Sequence, residues 1–103
     1  MSTNELTLAE RPRLSARART QYDAVREKQV LLFPEGLLVL NETAAAILAL
    51  CDGQRSVAEI AAELGARYSR PVDQDVLNLL NRLVQKRLVE AQVVEPMAHA
   101  DDR

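Results

Sequence analysis

Side chains that could act as a nucleophile or a base are scarce in this chain of 103 residues. Cys51 is the only cysteine, and the only histidine, His99, lies in a polar segment after Pro96. Thiol catalysis needs a base within hydrogen-bonding reach, whereas a single cysteine on an apolar helix face is usually a buried hydrophobic residue. We therefore expect Cys51 to be an inert buried thiol, and we predict that the protein is not an enzyme.

Asp73 and Asp75 are the other pair that could do chemistry, as a general acid and base. Because they stand two residues apart on a predicted helix, their carboxylates would not face each other. We expect Asp73 to cap that helix and Asp75 to be a charge in its first turn. The sequence has no Cys or His residues at metal-ligand spacing and no glycine-rich phosphate loop. It therefore predicts no catalytic residue, no metal and no cofactor.

The composition favours a small cytoplasmic domain. Apolar residues make up 48% of the chain, which is enough for one modest core, and the apolar runs are far too short to cross a membrane. The N-terminal residues lack the apolar core of a signal sequence. A formal net charge of −2 at pH 7 argues against strong attraction to nucleic acid or to an anionic membrane.

Two apolar runs separated by a short loop predict a β-hairpin. Residues 30–33 and 37–40 are β-prone, and residues 34–36, Pro-Glu-Gly, suit the turn between them. Pro34 presets φ, and Gly36 can adopt the backbone conformation that closes the loop. Residues 20–22 add a short β-prone segment before the hairpin, so we predict three strands.

Three helices follow, because the hydrophobic period changes to that of a helix at Asn41. Asn41 can cap the first helix, whose inner face includes Cys51. Ser56 and Glu59 have the spacing of a capping box and begin the second. The third opens at Asp73, and its inner face is apolar: Val76, Leu80, Leu83 and Val84.

Strands followed by helices indicate an α+β fold, here a winged-helix-like domain with a three-stranded antiparallel sheet followed by three helices. We predict a disordered N-terminal arm over residues 1–12, a folded domain over 13–90 and a disordered C-terminal tail over 91–103. The closely spaced arginines at the start of the domain are expected to be a solvated basic lead-in: Arg11, Arg13, Arg17 and Arg19.

The strand at residues 37–40 is a candidate binding surface. It contains neither Pro nor a charge to blunt an open sheet edge, and the side chains on both of its faces are apolar. One face would pack on the helices, which leaves the other to be explained. An extended peptide could add a strand there. Alternatively, the strand is central in the sheet, or the tail or another subunit covers it.

Several of these residues occur together in the pattern of a known family. The matching segments are residues 19–22, 30–36, 40–48, 51–53 and 75–76. In this order and at this spacing, the chain resembles the coenzyme PQQ synthesis protein D (PqqD) family over roughly residues 13–90.

The resemblance implies a peptide carrier in pyrroloquinoline quinone (PQQ) biosynthesis, a recognition element for a ribosomally made peptide. Members of this family bind the precursor peptide PqqA and present it to the radical S-adenosylmethionine (SAM) enzyme PqqE. In related recognition elements the leader peptide lies antiparallel on the third strand, in a cleft beside the third helix. Carried onto this chain, the peptide-binding residues are Leu37, Leu38, Val39, Leu40, Leu79, Arg82, Leu83 and Lys86. Arg82 and Lys86 could attract acidic peptide residues, or only complement the helix dipole.

Two other functions remain open. The second and third helices could form the helix-turn-helix of a winged-helix DNA-binding regulator. Against this, the end of the third helix that would face DNA carries Asp73 and Asp75. The open strand could instead pair with a second copy and form a homodimer through the strand edge.

Overall fold

A tight hairpin forms the centre of the main sheet. In the computed structural model, which describes residues 6–92, β3 (Lys28–Phe33) and β4 (Gly36–Leu40) run antiparallel and are joined by Pro34 and Glu35. Gly36 has a φ of 153°, which residues with a Cβ rarely adopt. The predicted hairpin is confirmed, and Gly36 stands where the chain reverses.

β2 (Arg19–Asp23) completes this antiparallel sheet, whose strand order is β2-β3-β4. In the register, Leu31 of β3 lies between Thr20 of β2 and Leu38 of β4. Within the part of the chain that the structure describes, β2 and β4 each pair with β3 alone. Both strands are therefore sheet edges, and the alternative that residues 37–40 form a central strand is wrong.

Three helices pack against one face of the sheet: α1 (Glu42–Ala49), α2 (Val57–Tyr68) and α3 (Asp73–Gln85). Two predicted caps are confirmed. The side chain of Asn41 accepts a hydrogen bond from the Ala44 N–H at 2.7 Å, and Ser56 and Glu59 form both bonds of a capping box. Caps of this kind satisfy amide groups that the first helical turn leaves without partners.

The predicted cap of α3 is wrong. Val72 is the N-cap residue and makes no side-chain cap bond, while Asp73 is already the first helical residue. The Val72 carbonyl accepts the bond from the Val76 N–H at 2.9 Å, so the hydrogen-bond ladder begins one residue before Asp73. Asp73 and Asp75 thus lie in the first turn, where negative charge is favourable.

The core joins the inner face of the hairpin to the helices. Leu31 and Leu40 belong to the buried cluster, together with apolar residues of all three helices. The largest of those helical side chains are fully buried: Ile47, Ile60, Leu64, Leu80 and Leu83. The predicted α+β fold, with a three-stranded antiparallel sheet and three helices, is confirmed. None of the helices among residues 6–92 is long and apolar enough to span a membrane.

A second, two-stranded sheet joins the two ends of the domain. β1 (Arg11–Leu14) pairs antiparallel with β5 (Val89–Gln92). The segment before β1 also supports α2, because the carbonyls of Glu10 and Leu8 accept bonds from the Val57 and Ala58 amides at 2.9 and 3.0 Å. These are two of the amide groups that the first turn of α2 cannot satisfy internally.

This second sheet corrects the predicted boundaries of the domain. Residues 6–12 of the expected arm include buried Leu6 and the start of β1, and residues 91–92 of the expected tail belong to β5. The rest of that arm and tail, residues 1–5 and 93–103, lies outside the described residues. The basic lead-in is also tied to the fold, since Arg13 pairs with Glu90 at 3.3 Å and Arg11 donates to the Gln54 carbonyl.

Candidate functional site

An open groove of about 500 Å³ lies between the β4 edge and α3. Its floor and walls come from four segments: β4, the start of α1, the loop before α3, and one face of α3. The lining residues are Leu38, Val39, Leu40, Asn41, Thr43, Ala44, Ile47, Arg70, Asp75, Asn78, Leu79, Arg82 and Leu83. The groove is therefore a cleft that has a free strand edge along one side.

The hairpin register determines which main-chain groups of β4 face the groove. Across the two-residue loop, Phe33 and Gly36 form the hydrogen-bonded pair that closes the hairpin, and such pairs alternate along antiparallel strands. Leu38 therefore bonds to β3, whereas the N–H and C=O groups of Leu37 and Val39 point to the open edge. These two residues can bond to an additional strand.

The side chains of β4 alternate in the same way. Leu38 and Leu40 point toward the helices and contact the core, and Leu37 and Val39 lie on the opposite face with 37% and 48% of their surfaces exposed. The inward side chains hold β4 in place, so the edge is rigidly positioned without being covered.

One face of α3 forms the opposite wall. Asp75, Leu79 and Leu83 follow each other at intervals of four residues, as do Asn78 and Arg82, so both rows lie along the groove. Leu83 is fully buried, Leu79 is half-buried and Arg82 is exposed. This wall thus offers an apolar base with a polar upper margin.

Arg17 shows how α3 runs relative to β4. Its Nη2 donates to both carboxylate oxygens of Glu35 in the hairpin loop, at 2.7 and 3.0 Å. Its Nη1 donates to the carbonyl of Arg87, just after α3, at 3.4 Å. The C-terminal end of α3 therefore lies beside the start of β4, and the two elements run in opposite directions.

Arg70 and Asp75 form the groove wall where α3 begins. Their side chains pair at 3.2 Å, and the guanidinium of Arg70 also lies 6.0 Å from the centre of the Tyr68 ring. Because Asp75 is paired with Arg70 rather than with Asp73, the two aspartates do not form the acid–base pair considered from the sequence.

The structure brings together six of the eight predicted site residues. Leu38, Val39, Leu40, Leu79, Arg82 and Leu83 line the groove. Leu37 and Lys86 do not line it: Leu37 stands next to the hairpin loop at the start of β4, and Lys86 is the exposed C-cap residue of α3. Lys86 stands four residues after Arg82 and continues the same row along the helix.

Sequence reasoning missed several lining residues. Helical spacing from Leu79 and Arg82 would have found two of them, Asp75 and Asn78, which stand four residues earlier on the same helix face. Asn41 and Thr43 lie just after β4, where the chain enters α1. Arg70 has no comparable local signal, since its place depends on the fold of the loop before α3.

Cys51 is not a reactive group in this structure. The thiol is buried and its Sγ lies 3.3 Å from the Ile47 carbonyl, to which it donates. Burial, and secondarily the charge of Asp52, raise the pKa of Cys51 to about 12. The expected burial of the thiol is confirmed, and its raised pKa supports the expectation that it is inert. No cluster of three metal-binding side chains occurs within residues 6–92.

Together, these features define the class of protein. This is a winged-helix-like α+β domain whose candidate site is a free strand edge in an open groove. Such an edge can bind an extended polypeptide through main-chain hydrogen bonds, with side-chain contacts to the groove.

Comparison with known proteins identifies the family. Residues 28–89 match the family described as coenzyme PQQ synthesis protein D (PqqD), and the chain belongs to it. The PqqA binding protein of Klebsiella pneumoniae is 44% identical over 79 residues, which cover 75% of this chain and 86% of that protein.

Two further similar proteins are a longer bifunctional protein and a domain with a solved structure. The bifunctional coenzyme PQQ synthesis protein C/D of Methylorubrum extorquens is 42% identical over 82 residues, covering 77% of this chain and 22% of that longer protein. The solution structure of the PqqD truncation of Methylobacterium extorquens PqqCD, a functional and stand-alone RiPP recognition element, has a TM-score of 0.75 and 38% identity. That match covers 87% of this chain and 99% of the other.

Proposed function

We propose that this protein is the peptide carrier of PQQ biosynthesis, which binds the precursor peptide PqqA and presents it to the radical SAM enzyme PqqE in the cytoplasm. It makes and breaks no covalent bond itself. The observation that carries the proposal is the free edge of β4, held open beside α3. Several relatives are PqqA binding proteins, and a homologous segment forms part of a bifunctional C/D protein of the same synthesis, which supports a role in that pathway.

The main chain of β4 supplies direction and register to the bound peptide. Leu37 and Val39 together present two N–H and two C=O groups, and each bond that they form adds about 0.5–1.5 kcal/mol net. These bonds are independent of peptide sequence. Selectivity must therefore come from side chains that enter the groove beside Leu79 and Leu83.

A carrier of this kind accelerates a reaction without chemistry of its own. On binding, one segment of the disordered peptide becomes extended, and the rest of the peptide is held near a partner enzyme. The enzyme then meets the reactive part of the peptide at an effective concentration set by the length of peptide that links the two. For this reason we expect the protein to increase the rate at which PqqE modifies PqqA when both are dilute.

Titration of isotope-labelled protein with PqqA tests the proposal. We expect amide shifts concentrated at residues 37–41 and 76–87, and no shifts with a scrambled PqqA of the same composition. Shifts centred on α2, or equal responses to both peptides, would contradict docking in the groove. Adding PqqE to the same sample and following PqqA modification tests presentation separately from binding.

The strand edge could also be occupied by a second copy of the chain. Such a homodimer would compete with PqqA for β4, so light scattering across a range of concentrations, with and without PqqA, distinguishes the two uses. The DNA-binding alternative receives no support from the structure, because exposed Asp73 and Asp75 occupy the first turn of α3, the end that would approach the phosphates.

A further inference from the structure

The two ends of the groove differ in charge. At the end beside the hairpin loop, Arg82, Lys86 and Arg87 are all exposed. Among residues 6–92, no carboxylate forms an ion pair with any of them. Arg17, which lies at the same end, is already paired with Glu35. This end therefore carries three cations whose charge is not neutralised within the described part of the chain.

The other end has the opposite balance. Arg70 is neutralised by Asp75, and the exposed acids Glu42 and Asp73 stand in the first turns of α1 and α3. A peptide that lies along β4 consequently meets a positive potential near Gly36 and a negative one near Leu40.

Arg87 occupies a position that usually favours glycine. Its φ is 63°. The Arg87 N–H donates to the Val84 carbonyl and the Leu88 N–H donates to the Leu83 carbonyl. This pair of hydrogen bonds is typical of a helix that ends at a left-handed residue. Glycine adopts this conformation without the steric penalty that arginine incurs. The side chain of Arg87 lines a neighbouring depression together with Val84, Val89 and Glu90, so this cation lies beside the end of the groove and not in it.

We propose that this charge difference sets the direction in which the peptide docks. The inference rests on the proposed function and extends it: the Arg82–Lys86–Arg87 end receives an acidic flank of the peptide, and the Glu42–Asp73 end receives a neutral or basic flank. Main-chain bonding alone does not select a direction, because a strand can add to an edge in either orientation and can slip by two residues. The flanking charges remove this ambiguity.

Complementing the dipole of α3 would be a simpler role for the same cations. The end of a helix carries only about half of an elementary charge, so three cations exceed what the dipole requires. Arg67 offers a matched control because it is exposed and stands in the last turn of α2, away from the groove. Reversing Arg67 also breaks its ion pair with Glu63 at 3.9 Å, so it perturbs its helix end at least as much as reversing Lys86 does. Only Lys86 continues the row of α3 residues that borders the groove.

The experiment uses the full chain and PqqA. After the docked segment of PqqA has been located by NMR, three versions are synthesised: Glu-Glu before and Lys-Lys after that segment, the reverse arrangement, and Gln at all four positions. Because a strand can add in either direction, we expect the two charged versions to dock in opposite directions, each roughly 3- to 30-fold tighter than the Gln version at low salt, since two to three exposed pairs are involved. In both versions a spin label on the Glu-Glu flank should broaden the amide signals of Leu37 and Lys86 more strongly than that of Asn41, which would show a preference of this flank for the basic end.

The variants Lys86→Glu and Arg87→Gly should reduce that preference, and Arg67→Glu should leave it unchanged. Arg87→Gly is the cleaner of the two, because glycine fits the backbone at residue 87. The same docking direction in both charged versions, or a preference that survives in Lys86→Glu, would overturn the directional role while leaving the proposed function intact. If the Gln version also failed to bind, the proposed function itself would be wrong.

Discussion

The substitution Val39→Pro should weaken strand addition while leaving the domain folded. Proline has no N–H, so the variant loses the outward donor of Val39, and its ring also fills space at the open edge. The bonds between β3 and β4 survive, because those at this point are made by Leu38 and Leu40. The side chain of Val39 is 48% exposed and lies outside the buried cluster, so its replacement removes little of the core.

The expected effect follows from one lost hydrogen bond. Removing the donor costs about 0.5–1.5 kcal/mol if the peptide carbonyl can bond to water instead, and about 1–3 kcal/mol if that carbonyl stays buried without a partner. A loss of about 1–3 kcal/mol corresponds to a roughly 5- to 150-fold increase in Kd for PqqA. Leu38→Pro provides a contrast, since it breaks a β3–β4 bond and should destabilise the fold by about 2–4 kcal/mol.

Isothermal titration with PqqA measures the effect, and circular dichroism with urea unfolding shows whether each variant is folded. Val39→Thr is the matched control, because it keeps the N–H and the β-branched shape at the same position. We expect Val39→Thr to bind much as the native chain does. A folded Val39→Pro that binds PqqA within about twofold of native affinity would refute strand addition on β4. A twofold change in Kd corresponds to less free energy than the loss of one hydrogen bond.

Three further predictions concern the parts of the fold that hold the groove. Cys51 should react with iodoacetamide at pH 8 roughly 1000-fold more slowly in the native than in the urea-unfolded protein, because its raised pKa leaves little thiolate; equal rates would contradict its burial. Ser56→Ala should lower the free energy of unfolding by about 0.5–2 kcal/mol through loss of the α2 cap, and Ser56→Thr should restore most of it. Gly36→Ala should cost about 1–3 kcal/mol because its φ of 153° is strained for any residue with a Cβ; unchanged urea unfolding would show that the hairpin loop relaxes.

The features that the sequence predicted correctly are those decided by neighbours along the chain. Asn41 caps an amide three residues later, and the reciprocal bonds of Ser56 and Glu59 span the same distance. Gly36 stands two residues after Pro34, so the hairpin turn is encoded in one short segment. The eight site residues were predicted from the family resemblance, which could be placed on β4 and α3 because both elements were located in this way, and six of the eight line the groove.

The second sheet could not be predicted locally because its strands lie at opposite ends of the domain. Arg13 pairs with Glu90, at a separation of 77 residues along the chain. β1 contains Pro12 between two arginines, a pattern typical of a polar lead-in, although proline is tolerated in edge strands. β5 alternates apolar and polar residues, Val-Glu-Ala-Gln, but four residues are too few to distinguish a strand from a tail.

The two edges of the main sheet differ in a way that favours β4, and not β2, as the proposed docking strand. Both edges lie open within residues 6–92, and open edges invite unwanted pairing unless charged or polar residues discourage it. β2 has this protection: it carries Arg19 and Asp23, and residues 19–22 are exposed on both faces. β4 has none, since every residue after Gly36 is apolar and Leu38 and Leu40 hold it against the core. We therefore expect the bare edge to receive a partner, because an unprotected edge without one would promote aggregation.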